Sequence, residues 1–98
     1  MTDDETGAVG GPAVLTIVEA QACHFCADAN RALAELGLEF PMVVERVDAR
    51  SREGRALLQE LRAPMTPLVL LDGWYFSSGR LPRRKLQRLL RNRTRTAA

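Results

Sequence analysis

Hydrophobic residues in the first half of the chain follow two spacings, one typical of strands and one typical of helices. Residues 13–19 (AVLTIVE) and 40–47 are apolar and partly β-branched, which predicts two buried strands. Between them, apolar residues recur at helical spacing over 27–36, and Gly37 follows as a stop signal, so we predict a helix there. The apolar face of this helix consists of Ala29, Leu33 and Leu36.

The middle of the chain predicts a second helix and then a hairpin. Ser51 is a typical N-cap residue. The helix after it would bury a stripe of Leu57, Leu58 and Leu61. The stretch Pro67 to Leu71 predicts a short strand, Asp72-Gly73 a tight turn, and Trp74 to Phe76 the returning strand. Ser77 to Gly79 would then lead the chain out of the sheet.

The C-terminal part predicts an amphipathic helix with Pro82 in its first turn. We expect Leu86, Leu89 and Leu90 to pack inward. We expect the opposite face to carry Arg84, Arg88, Arg91 and Arg95.

These elements predict an α/β fold with the order β-α-β-α-β-β-α. The first two strands would be parallel with a right-handed crossover and the last two antiparallel, so the sheet is expected to be mixed with helices packed on it. With 98 residues the chain has room for one domain. We predict a disordered segment at 1–12, the domain at 13–92 and a basic tail at 93–98.

Composition limits the classes of function. Residues 80–95 carry eight basic side chains and no acidic one, although the net charge is only +2. No aromatic platform accompanies these arginines, so we interpret them as a solvated face and do not expect a nucleic-acid partner. The longest apolar run, Pro67 to Leu71, is too short to span a bilayer, and the acidic start lacks signal-peptide features. We expect a soluble cytoplasmic monomer.

The motif that carries chemistry is Cys23-His24-Phe25-Cys26 at the junction of the first strand and the first helix. Unpaired backbone N–H groups and the positive end of the helix dipole favour a thiolate at the first position. Cys23 would therefore attack, and Cys26, one turn later and less exposed, would resolve the mixed disulfide. A protonated His24 would stabilise the thiolate, and Phe25 would offer an apolar surface beside it.

Two other interpretations of the cysteine pair remain open. The cysteines could be inert small hydrophobic residues, or they could bind a metal or an iron-sulfur cluster. A closed zinc site needs four ligands, whereas this chain supplies two thiols and one histidine that lies between them. Metal binding would therefore require a second chain or an external thiol, and we predict no metal site within one chain.

Thr66-Pro67, at the entrance of the third strand, is the second candidate element. Its ordinary interpretation is a connector between helix and strand, because proline is tolerated as the first residue of a strand. The alternative is a cis-proline loop that faces the cysteines, with the backbone of Thr66 available to an extended substrate.

With Cys-x-x-Cys after the first strand and Thr-Pro before the third, residues 13–92 resemble glutaredoxins and thioredoxins. The chain is most similar to small bacterial glutaredoxin-like proteins, which share a Cys-His-x-Cys motif, a Pro-x-x-x-x-Asp-Gly hairpin (Pro67 to Gly73) and a Gly-Arg-Leu step (Gly79 to Leu81). The resemblance implies a thioredoxin fold with Cys23 as the nucleophile, Cys26 as the resolving thiol and Pro67 in cis.

The residues that hold glutathione in typical glutaredoxins do not match this chain. Ala20 replaces a basic residue, Ser77-Ser78 replaces a Gly-Gly pair, and Leu81 falls near the position of an aspartate. Arg80 remains a candidate to attract a glutathione carboxylate. The Gly-Pro pair that thioredoxins carry between their cysteines is also absent.

The sequence therefore predicts a thiol-disulfide oxidoreductase that reduces protein or glutathione mixed disulfides. We predict no resident cofactor, with glutathione as a possible co-substrate. The alternative is a non-catalytic thioredoxin-fold binding module, or a protein that binds a metal or iron-sulfur cluster between subunits.

Overall fold

A computed structural model of the chain describes residues 11–97, with side chains through Arg93. The elements follow the predicted order: β1 (Ala13–Glu19), α1 (His24–Leu36), β2 (Met42–Asp48), α2 (Arg52–Glu60), β3 (Leu68–Leu71), β4 (Trp74–Ser78) and α3 (Arg83–Ala97). None of the helices within the described range is long and apolar enough to cross a membrane.

The sheet has the strand order β2-β1-β3-β4. β1 is central and pairs parallel with β2, whereas the β1–β3 and β3–β4 pairs are antiparallel. The β3–β4 turn has φ angles of 51° at Asp72 and 85° at Gly73. Two successive positive φ values match the twist of a tight hairpin, and glycine tolerates this conformation without the Cβ clash of other residues.

Apolar side chains fill both faces of the sheet. One face packs against α1 and α3, with Leu15, Ile17 and Leu86 fully buried between the layers. The other face presents Val18, Leu68 and Leu70 to α2, where Leu57 and Leu58 pack on them. Because β1 is an inner strand and leads into α1, the start of α1 lies at the C-terminal end of that strand.

Two leucines that we predicted to be buried are exposed. Leu61 is 37% exposed because α2 ends at Glu60 and the side chain leaves the apolar stripe. Leu89 is 38% exposed, whereas Leu86 and Leu90 are buried. Residues four apart lie closer to one line along a helix than residues three apart, so Leu89 is displaced to the flank of the contact.

The ends of several elements also differ from the prediction. Strand β4 continues through Ser77 and Ser78, which we had assigned to the exit from the sheet. Helix α1 begins at His24, three residues before the predicted start. Pro82 precedes α3, and its carbonyl accepts a hydrogen bond from Leu86 N at 3.1 Å. The predicted disordered segment, 1–12, lies outside the described residues except for Gly11 and Pro12, and the side chain of Arg95 also lies outside them.

Helix α3 continues to Ala97, past the predicted boundary at Asn92, and Arg93 joins three parts of the chain. Its Nε donates to Asp72 Oδ2 at 2.7 Å, and its Nη1 donates to the carbonyl of Gly11 at 2.8 Å. Arg93 therefore links the last helix to the hairpin turn and to the residues before β1, and does not belong to a free tail.

Candidate active site

The cysteine pair lies where β1 leads into α1. Cys23 is the N-cap of the helix, with extended backbone angles (φ −105°, ψ 110°), and its Sγ accepts a hydrogen bond from Cys26 N at 3.1 Å. The two cysteines form a disulfide, with their Cα atoms 5.1 Å apart. An N-cap side chain normally accepts from the backbone of the first turn, and here a sulfur takes that role.

The two sulfurs have different surroundings. Cys23 is partly exposed, whereas Cys26 is 4% exposed and lies inside the first turn of α1. After reduction, the N–H group that already points at Cys23 would stabilise a thiolate there, whereas burial disfavours a charge at Cys26. This asymmetry suits an attacking and a resolving thiol.

The loop before β3 lies against Cys23. The Thr66–Pro67 peptide bond is cis, which is the conformation that the resemblance implied. Thr66 Oγ1 is 3.5 Å from Cys23 Sγ, and the Thr66 carbonyl oxygen is 3.7 Å from it. The structure therefore brings together the two motifs that the sequence singled out.

Ser78 of β4 and the following Gly79 anchor this loop on both sides of Thr66. The hydroxyl of Ser78 donates to Met65 O at 2.8 Å, and Gly79 N donates to Pro67 O at 3.0 Å. Among the described residues, none accepts a hydrogen bond from the backbone N–H of Thr66. This donor belongs to the residue whose hydroxyl lies 3.5 Å from Cys23 Sγ, and it is available to the backbone of an extended substrate.

A polar network that the sequence analysis missed supports the start of α1. Asn30 Nδ2 donates to Cys26 O at 3.0 Å and to Glu19 Oε1 at 2.7 Å, while its Oδ1 accepts from Arg46 Nε at 3.0 Å. Glu19 and Asn30 line the same open cavity as both cysteines. The sequence does contain a signal for this contact: Asn30 is four residues after Cys26, so the two residues lie on the same face of the helix.

Only some of the remaining predicted site residues line the cysteine cavity. His24 is exposed and lines the cysteine cavity, while Phe25 is half-buried in the first turn of α1. Pro67 is fully buried behind Thr66. Arg80 is exposed and lines a separate cleft between α1 and α3, which has no lining residue in common with the cysteine cavity.

The described part of the chain does not provide a set of metal ligands at the cysteine pair. Within it, no group of three or more His, Cys, Asp or Glu side chains is arranged to hold a metal ion. A cluster or metal would need ligands from outside these residues.

No family model matches the chain, and no curated protein matches it. Solved structures do. A mutant thioredoxin from Halobacterium salinarum NRC-1 has a TM-score of 0.64 and 20% identity, over 96% of this chain and 85% of that one. Mitochondrial thioredoxin 3 from Saccharomyces cerevisiae, in its oxidized form, has a TM-score of 0.60 and 16% identity, over 91% and 87% of the two chains.

A thioredoxin-like protein from Clostridium perfringens is also similar, with a TM-score of 0.60 and 14% identity over 85% of this chain and 71% of that one. At these identities the likeness concerns the arrangement of the backbone. The chain therefore has the thioredoxin fold, an α/β architecture with a mixed four-stranded sheet and helices on both faces.

Proposed function

We propose that the protein is a thiol-disulfide oxidoreductase that uses Cys23 and Cys26 as a dithiol. The observation that carries this proposal is the disulfide at the start of α1, with Thr66 of the cis-proline loop against Cys23 Sγ. A structural cross-link would be a poor alternative, because a bridge between residues three apart closes a very small loop and removes little entropy from the unfolded chain.

The first step is attack by the Cys23 thiolate on one sulfur of a substrate disulfide. A bond forms between Cys23 Sγ and that sulfur, the substrate disulfide breaks, and the other substrate sulfur leaves as a thiolate. The N–H of Cys26, 3.1 Å from Cys23 Sγ, and the hydroxyl of Thr66 stabilise the attacking charge.

The second step is attack by Cys26 on Cys23 Sγ. After Cys26 loses its proton, its sulfur displaces the second substrate thiolate and forms the Cys23–Cys26 disulfide. Two electrons have then passed to the substrate, and the protein is in the oxidised form described above. An external dithiol or thiol reductant would regenerate the reduced pair.

The surrounding residues would orient the substrate. Thr66 offers its unpaired backbone N–H to an extended chain, and the ring of Pro67 supports that strand from behind. His24 and Phe25 follow the attacking Cys23 in the first turn of α1. Arg80 directly follows Gly79, whose N–H is bonded to Pro67 O, and would receive a substrate carboxylate.

Protein disulfides are the substrates that we favour, with glutathione mixed disulfides second. The departures at Ala20, Ser77 and Ser78 remove contacts that typical glutaredoxins use, whereas an extended backbone next to Thr66 requires only a peptide. Reduction of disulfides suits a reducing compartment, so we propose that the protein is cytoplasmic. We also propose that it acts as a monomer.

The test is transfer of electrons to a protein disulfide in one turnover. Reduced protein would be mixed with an equimolar disulfide protein, such as insulin, and thiols would be counted on both proteins. The proposal predicts that one dithiol is lost by this protein for each disulfide reduced, and that Cys23→Ser abolishes the transfer. Unchanged insulin, or equal transfer by Cys23→Ser, would refute it.

A further inference from the structure

The cleft between α1 and α3 is lined mainly by charged side chains. Its charged residues are Asp28, Arg31, Glu35, Arg80, Arg83 and Arg84. Four positive and two negative charges give the cleft an excess of two positive charges.

The two carboxylates are already engaged by two of the arginines. Arg83 Nη2 lies 2.6 Å from Glu35 Oε1, and Arg31 Nη1 lies 3.8 Å from Asp28 Oδ1. Within the residues whose side chains are described, Arg80 and Arg84 have no carboxylate partner. The excess positive charge of the cleft therefore resides on these two exposed side chains.

Along α1, the cleft starts one helical turn beyond the cysteine cavity. His24, which lines the cysteine cavity, shares one face of α1 with Asp28 and Glu35, because positions four and eleven residues further on return to the same side of a helix. Arg80 is adjacent in the chain to Gly79, whose N–H is bonded to Pro67 O at 3.0 Å. The cleft therefore leads away from the residues that contact Cys23.

We infer that this cleft binds an acidic segment of the substrate protein, next to the cysteine that Cys23 attacks. This inference rests on the proposed function and names its substrate class. The helix face from His24 to Glu35 is about 16 Å long at 1.5 Å per residue, a length that about five residues of extended chain would cover. The acidic residues of the substrate would lie within about five positions of its reactive cysteine.

Exposed charge contacts are individually weak, so the expected preference is moderate and sensitive to salt. Each arginine would contribute up to about fivefold at low ionic strength, and the two together roughly tenfold or somewhat more. Screening should remove most of this preference in about 0.5 M salt.

The test compares two symmetric peptide disulfides that differ only in four residues beside the cysteine, glutamate in one and glutamine in the other. The second-order rate constant of each with the reduced protein would be measured at low and high salt. We expect the Glu peptide to react roughly tenfold faster at low salt. In Arg80→Gln/Arg84→Gln this ratio should fall towards one.

The matched control is Arg52→Gln/Arg55→Gln, which removes the same charge from exposed positions of α2. This variant should keep most of the preference. Equal rates for both peptides with the unmodified protein, or an equal loss in the two double variants, would overturn the inference. If neither peptide is reduced at all, the proposed function itself fails.

Discussion

Thr66 Oγ1 lies 3.5 Å from Cys23 Sγ, although the two residues are 43 positions apart in the chain. Cys26 N lies 3.1 Å from the same sulfur. Two donors from different parts of the chain therefore meet at Cys23, while the Cys26 sulfur lies inside the helix turn. The functional difference between the two cysteines depends on this arrangement.

The first prediction is that alkylating agents react with Cys23 before they react with Cys26. In the reduced protein near neutral pH, iodoacetamide should label Cys23 well before Cys26, because Cys23 is partly exposed and its thiolate is stabilised, whereas Cys26 is 4% exposed. Peptide mapping after partial labelling measures this. Faster labelling of Cys26 would reverse the assignment of attacking and resolving thiols.

Thr66→Val should slow the reaction of Cys23 at neutral pH. Loss of the hydroxyl lowers the thiolate fraction, but the remaining thiolate becomes more nucleophilic, so a tenfold lower fraction would reduce the alkylation rate only about threefold. At high pH, where Cys23 is ionised in both proteins, the variant should instead react up to about threefold faster, because its more basic thiolate is the better nucleophile. Thr16→Val, which changes the same residue type in β1, serves as the control, and an equal effect of both substitutions would contradict this role of Thr66.

Asn30→Leu should lower the free energy of unfolding by about 1–2 kcal/mol, because it removes the side-chain bonds to Cys26 O and Glu19 Oε1. Urea denaturation of the oxidised protein measures this change. Gln59→Leu introduces the same apolar side chain at an exposed position of α2 and should have little effect. If both variants unfold at the same urea concentration, the network does not support the start of α1.

Arg93→Ala should lower the free energy of unfolding by about 2 kcal/mol. The Arg93 side chain is only 18% exposed and donates hydrogen bonds to both Asp72 and the carbonyl of Gly11. In a domain of this size, such a loss lowers the melting temperature by on the order of 10 °C. Arg91→Ala removes the same charge from an exposed position of α3 and is the control. Similar melting temperatures for the two variants would show that Arg93 belongs to a free tail.

Features that depend on a few adjacent residues could be predicted from the sequence. Ser51 caps α2 by accepting a bond from Gly54 N at 3.0 Å, and Asp72-Gly73 forms the predicted turn, because the signals for caps and turns are local. The cysteine pair was placed correctly at the start of a helix for the same reason.

Features that depend on distant packing could not be predicted in this way. The exposure of Leu89 follows from how α3 lies on the sheet, and helical spacing alone does not distinguish Leu89 from Leu90. The bonds of Asn30 to Glu19 and Arg46 require the positions of α1, β1 and β2 relative to one another. Ser78 could not be recognised as the anchor of Met65 before β4 was known to reach it.

The most direct test of the account is to stop the reaction between its two steps. Reduced Cys26→Ser would be mixed with a small peptide disulfide, and the products would be identified by intact mass and peptide mapping. The account predicts a stable adduct of one peptide on Cys23, whereas the unmodified protein proceeds to the Cys23–Cys26 disulfide and Cys23→Ser forms no adduct. An adduct on Cys26 in Cys23→Ser that forms as fast as the one on Cys23, or no adduct in either variant, would contradict it.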